Sequence, residues 1–358
     1  MAIDQRTKKL AKTIVDYSLE IKKGENVVIS GSTENIDFAR ALYEESILRG
    51  AYPHLHLSIP GTAFFFFKNA SDEQLNRFPK ILDYTVKNTQ KYISIDSDYN
   101  TKELAQIDPQ KLAQREKTTR KISNYIVNRH DKIWRCNVGY PCAALAQDAE
   151  MSTSEYENFV FSACNLNWKK LNKDINRLLK YFKKGKIIEL IGKNTNLKFA
   201  INGELAASCT GKENMPGGEI FMAPVRTSME GHIKFDFPAI ETGKEVSDIY
   251  LEFKKGKVIK ASASKNEDFL KEMLKIDKNA SYVGEFGIGC NPKIKKFSRN
   301  LLFDEKISGT IHLALGMAYK ENGGGNDSAI HWDIVKDIHQ GKIILDNKIV
   351  QENGKWKI

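Results

Sequence analysis

The feature that most limits what this chain can become is a change of apolar period near Gly185. Before it, Leu10, Ile14, Tyr17 and Ile21 form a helical stripe that stops at Gly24, where a left-handed residue ends a helix cheaply. The run NVVIS at 26–30 then reads as a buried strand, GSTEN as a turn, IDFARALYEESILRG as a helix and HLHLSI as a second strand. A strand–helix–strand unit of this kind builds a parallel sheet. Helices are expected around 72–88 and 103–128 with the strand KYISID between them, and Ser152 with Glu155 makes a capping box for a further helix. Beyond Gly185, the runs KIIELIG, LKFAING, HIKFDFP, DIYLEF and KVIKASAS alternate with glycine and asparagine turns, and KIILDNKIVQENGKWKI reads as a closing hairpin. We therefore expect an α/β domain with a mainly parallel sheet over 1–185 and a β-rich domain over 186–358.

At 358 residues, two domains are the natural division, each able to bury its own core. Cys136, Cys142, Cys164, Cys209 and Cys290 are scattered without a C-x-x-C pair, which argues against a thiolate zinc site or a disulfide framework and fits a reducing cytoplasm. No apolar leader and no stretch of about eighteen apolar residues is present, so no membrane association is expected. Much of the net charge of +10 lies in WKKLNKDINRLLKYFKKGK at 168–186. There Leu171, Ile175, Leu178, Leu179 and Phe182 recur at helical spacing, so the lysines form a solvated face and no nucleic-acid partner is expected. GST at 31–33 lacks the G-x-G-x-x-G and Walker patterns, which leaves nucleotide binding without support.

The stretch SAIHWDIV at 328–335 places two polar residues in an apolar run. On a strand, His331 and Asp333 point to one side while Ile330, Trp332 and Ile334 point to the other. A lone H-x-D is weak, but the second half holds further polar residues in apolar settings. Glu219 follows a Pro-Gly-Gly turn in NMPGGEIFMAPV, Glu285 sits in YVGEFGIGCNP, Glu305 and His312 lie in FDEKISGTIHLALG, and Tyr319 comes seven residues after His312. Four carboxylates, two imidazoles and a phenol suit a pair of divalent cations, because carboxylates can bridge and offset charge while histidines leave positions open for water. Buried without a cation, such acids cost several kcal/mol or shift their pKa. Glu230 and His232 are nearby competitors for supporting roles, whereas Asp337 and His339 read as a surface turn.

The strings YPCAALAQDAEMS, NMPGGEIFMAPV, GEFGIGCNP, FDEKISGTIHLALG and GGGNDSAIHWD, in that order, resemble the thermophilic aminopeptidase (aminopeptidase T) family of dinuclear metallopeptidases. The resemblance implies an N-terminal α/β domain, a C-terminal α+β domain carrying the metals, and a homodimer whose active site faces an enclosed cavity. It puts metal ligands at Glu219, Glu285, Glu305, His312, His331 and Asp333, with two divalent ions (zinc, cobalt or manganese) as cofactors, and the catalytic tyrosine at Tyr319. The implied reaction is release of N-terminal amino acids from peptides by a metal-activated water, with Glu285 moving the water proton and Tyr319 donating to the oxyanion. Two other readings stay open: a mononuclear iron ring-opening dioxygenase holding its ion at His312, His331 and Asp333, and a non-enzymatic polyanion-binding protein using the basic helix.

Overall fold

The structure, a computed structural model, describes residues 2–319 and 322–358. The chain divides into two compact units: 2–166 with 211–216, and 167–210 with 217–358.

The first unit is built on a parallel sheet of β1 (Asn26–Ser32), β2 (Tyr52–Ser58), β3 (Lys91–Asp96) and β4 (Trp134–Gly139), in the order β2-β1-β3-β4, with the short strand Asn214–Met215 beyond β4. Val27, Val28 and Ile29 are all fully buried, the continuous apolar run expected of a parallel strand covered on both faces. The helix Ile36–Leu48 that carries the crossover to β2 follows a short 3-10 turn in which the Ser32 hydroxyl accepts the Glu34 amide at 3.3 Å. Because β2 pairs on one side of β1 and β3 on the other, the winding reverses between β1 and β3.

The second unit contains an eight-stranded sheet, which runs from Lys257–Ser262 through Tyr250–Lys254, Glu230–Lys234, Thr195–Ala200, Ile187–Gly192, Lys342–Leu345 and Lys348–Glu352 to Lys355–Trp356. A five-stranded antiparallel sheet holds β5 (Glu219–Met222), β6 (Val283–Gly289), β7 (Thr310–Gly316) and β8 (His331–Asp337) in the order β8-β7-β6-β5, edged by Ala207–Cys209. Phe199 of the larger sheet meets Phe286 of β6 edge-on at 5.1 Å between ring centroids, in one core that also takes Ile220, Leu313, Trp332 and Ile334.

The helix Trp168–Phe182 buries Ile175, Leu178, Leu179 and Phe182 in that same core, each contributing roughly 1.5–3 kcal/mol. The boundary of the compact units therefore falls at 166/167, ahead of the change in strand pattern at Gly185, because the apolar stripe of this helix is claimed by the sheets that follow it. The mixed α/β architecture agrees with the expectation, including the parallel sheet early and antiparallel sheets later. Among the described residues, no helix is long and apolar enough to cross a membrane.

Candidate metal centre

Strand alternation divides the five-stranded sheet into two chemistries. One face carries Ile220, Met222, Phe286, Ile288, Ile311, Leu313, Leu315, Trp332 and Ile334 into the core. The other face carries Glu219, Glu285, His312, His331 and Asp333. Pairing aligns these residues across the sheet: Glu285 lies opposite Ala314, which lies opposite Asp333, and Gly287 lies opposite His312. Period two thus keeps the polar residues on one side, and register brings them together.

Small residues open the space they occupy. A Cβ built on Gly287 would stand 2.1 Å from the His312 ring, so only glycine admits the imidazole there. A Cβ on Gly289 would stand 2.0 Å from the Ile307 carbonyl oxygen. That glycine lets the 305–307 segment lie against β6, tied by the Asn291 amide donating to the Lys306 carbonyl at 3.0 Å. The same approach delivers Glu305, the residue that ends the short helix Leu301–Asp304.

His312 is fully buried at the centre. Its Nε2 is 3.4 Å from Glu285 Oε1, 3.7 Å from Glu219 Oε2 and 4.0 Å from Asp333 Oδ1. His331 Nε2 is 3.4 Å from Asp333 Oδ2, while its Nδ1 faces the Met317 carbonyl at 2.8 Å, an outer contact that orients the ring. Tyr319 is exposed, with its ring centroid 5.3 Å from that of His331. Potential ligand atoms of Glu219, Glu305 and His312, and again of Glu285, His312 and Asp333, lie within 4.8 Å of one another. All seven residues singled out in the sequence therefore fall on or beside one patch of this unit.

Electrostatics set this patch apart. Burial raises the Glu219 carboxyl to about 8 despite the attraction of Lys306, and raises Asp333 to about 6 against the pull of His331 and His312. Burial opposes charge on His312, yet the Glu285 hydrogen bond and the Asp333, Glu219 and Glu305 carboxylates outweigh it and raise the imidazole to about 10. Burial likewise works against the Glu305 carboxylate, but Lys306 and His312 hold it below the ordinary value. Glu219 Oε2, His312 Nδ1 and Asp333 Oδ1 are buried without a hydrogen-bond partner. Unpartnered buried polar atoms on carboxylate and imidazole are costly alone, and these side chains are of the types that zinc, cobalt or manganese takes as ligands.

Two contributors were not singled out in the sequence. Lys306 is completely buried, pairing with Glu305 and, at 3.5 Å, with Glu219. A lysine inside the apolar run FDEKISGTIHLALG was the available signal. Glu241, on the short strand Ala239–Glu241, is raised by burial and by the Asp333 charge, and nothing in its local sequence marks it. The supporting roles considered for Glu230 and His232 are not seen. Glu230 accepts the Lys255 amide at 2.8 Å and His232 packs on Tyr250 at 5.9 Å, both on the larger sheet. Asp337 and His339 pair with each other at 2.6 Å on the surface.

A cavity of about 110 Å³ reaches Asp333, lined also by Pro238, Ile240, Phe297 and Arg299. A larger one of about 720 Å³, rimmed by Lys257, Lys260, Lys271, Lys275 and Lys278, contains none of the clustered acids or histidines.

The family model described as thermophilic metalloprotease (M29) matches residues 3–356. Aminopeptidase AmpS of Bacillus subtilis (strain 168) is 25% identical, with 99% of each chain covered. Aminopeptidase T of Thermus thermophilus is 24% identical, covering 93% of this chain and 92% of that one. Among solved structures, wild-type AmpT from Thermus thermophilus superposes with a TM-score of 0.86 at 21% identity over 100% of both chains. A 2,5-dihydroxypyridine dioxygenase from Pseudomonas putida KT2440 shares the fold at a TM-score of 0.59 and 14% identity, covering 99% of this chain and 98% of that one.

Proposed function

Because the chain belongs to the thermophilic metalloprotease (M29) family, that of the aminopeptidases T, and is a metallo-aminopeptidase, we propose that it removes N-terminal residues from peptides at a centre for two divalent cations on the polar face of β5–β8. The observation that supports this reading is the convergence of Glu219, Glu285, Glu305, His312 and Asp333 from five separate segments, with His331 3.4 Å from Asp333, and three of them carry a buried atom with no hydrogen-bond partner. Glu219, Glu285, Glu305, His312, His331 and Asp333 would hold the ions. Four carboxylates exceed what one cation balances, which favours two.

Bound there, such cations lower the pKa of a water and polarise a carbonyl. The chain's own groups do the rest. Glu285 is the carboxylate we assign to accepting the water proton; its Oε1 lies 3.4 Å from His312 Nε2, which fixes its direction. Tyr319, exposed beside His331, is assigned to donating its phenolic hydrogen to the oxygen that gains charge. Met317 holds the His331 ring through its carbonyl, and Lys306 keeps Glu305 ionised. The free amino group of a peptide N-terminus would serve as a further ligand at such a centre, which would confine the enzyme to chain ends. A homodimer working in the cytoplasm completes the proposal.

The test is metal content together with hydrolysis. Two ions per chain and release of amino acids from dipeptides and aminoacyl arylamides, lost on chelation and restored by zinc, cobalt or manganese, are the expected results. The fold shared with a dioxygenase keeps one rival specific: a single iron at His312, His331 and Asp333. One iron per chain, oxygen consumption and no peptide cleavage would establish that rival instead.

A further inference from the structure

The reversal of winding between β1 and β3 leaves a crevice at the carboxyl ends of the strands, the place where open parallel sheets accept ligands. A cavity of about 250 Å³ occupies it. Its walls come from the last residues of β1, β2 and β3 and the segments that follow, all within the first unit.

The lining is rich in hydroxyls and acidic. Register sets Ser30 beside Ser94 and Ser32 beside Ser58. Ser58 is committed to the Gly31 carbonyl at 3.1 Å, but Ser97, only 6% exposed, lines the cavity with its Oγ lacking any hydrogen-bond partner. A buried hydroxyl left unmatched is costly, so its place in a cavity wall points to a polar ligand. Asp98 and Glu103 also line the cavity, with no lysine, arginine or histidine among the lining residues. One oxygen of Glu103 accepts the Gly61 amide at 2.8 Å, which holds that carboxylate in position.

Asp98 stands exposed at the rim, yet its carboxyl is raised by partial burial in the mouth and by the Glu103 and Asp148 charges. The charges acting on it are all negative. An anionic ligand would add to that repulsion, and a zwitterion would find no cation for its carboxylate. A bare metal ion fits poorly, since these acids do not converge in a three-ligand cluster and the volume far exceeds one ion.

We propose that this crevice is a binding site for a small organic ammonium compound, its cation held by Asp98 and Glu103 and its polar body by Ser97 and the neighbouring serines. A hydroxylated amine of the size of an amino sugar matches the volume and the donors.

Calorimetric titration of the full, metal-loaded chain in an amine-free buffer tests it, with glucosamine and ethanolamine as probes and glucose and inorganic phosphate as controls. Saturable binding of an ammonium probe is expected, weakening with salt and falling about tenfold or more in both Asp98→Asn and Glu103→Gln. Ser97→Ala should weaken glucosamine without altering dipeptide hydrolysis. Absence of saturable binding by both amines would overturn the proposal, as would glucose binding as well as glucosamine. Equal amine affinity in wild type and both acid variants would also overturn it, since the amine would then be held elsewhere, the peptidase centre included. The two acid variants preserve side-chain volume, and unchanged dipeptide hydrolysis in them verifies that the chain has folded.

Discussion

Gly287→Ala probes the reasoning about the metal centre at its tightest point. The new methyl group would lie 2.1 Å from both Cε1 and Nε2 of His312, where ordinary contact between carbon atoms begins near about 3.5 Å. The imidazole must retreat by more than about 1 Å or β6 must shift from β7. Overpacking of this kind costs about 1–3 kcal/mol. The functional cost is larger, because His312 Nε2 sits between Glu285 and Glu219 at 3.4 and 3.7 Å and belongs to both groups of potential ligand atoms. Displacement by about 1 Å in a preorganised site can lower turnover by roughly a hundredfold. Metal content by elemental analysis, dipeptide hydrolysis and thermal unfolding should be measured on the variant beside Gly325→Ala, where an added Cβ meets nothing within 4 Å. The expected result is a folded Gly287→Ala protein with reduced metal and roughly a hundredfold lower rate, and a control like wild type. Full metal occupancy with an unchanged rate would refute the placement of His312 at the centre.

Tyr319→Phe should lower turnover strongly while leaving the metal content intact; a protein that loses its ions instead would contradict the role as oxyanion donor. Lys306→Met should destabilise the metal-free protein by about 3–5 kcal/mol, read from denaturant unfolding in chelator, because Glu219 and Glu305 lose a buried cation; a change under about 0.5 kcal/mol would count against that pairing. Adding zinc or cobalt to the chelated wild type should stabilise it by an amount that grows with ion concentration, roughly 4 kcal/mol at a thousandfold excess over Kd, read as a rising unfolding temperature. Asp304 supplies a pH test. Burial raises its carboxyl from 3.8 to about 7, so its contribution is fully present below 3.8 and is lost as pH rises through about 7. Asp304→Asn keeps an acceptor for Ser298 and should flatten the fall in unfolding temperature between those limits; an identical slope in the variant would exclude Asp304 as its source.

Much of the fold was legible because it is written in local periodicity. NVVIS, IDFARALYEESILRG and HLHLSI state a parallel crossover within 34 residues, and the structure forms it. Alternation in SAIHWDIV placed His331 and Asp333 on one side and Trp332 on the other, which is where they lie. The helix at 168–182 was legible as a helix, and Ile175, Leu178, Leu179 and Phe182 of its expected stripe are buried, while Leu171 is only partly so and Trp168 is buried as well. Its allegiance to the second unit was not legible, since a stripe states that it needs a partner and not which one.

The sequence by itself determined which side chains share a face, because pleat and helix periods are properties of neighbouring residues. It also exposed the anomaly of acids and histidines in apolar runs, because burial of an unpaired charge is costly wherever it occurs. Only the tertiary structure decided that Glu285, Ala314 and Asp333 stand in one row with His312 beside Gly287, since strand register comes from hydrogen bonds between segments far apart in the chain. The burial of Lys306 between Glu219 and Glu305 was decided there too. A lysine in a loop reads as solvated until the close approach allowed by Gly289 takes the water away.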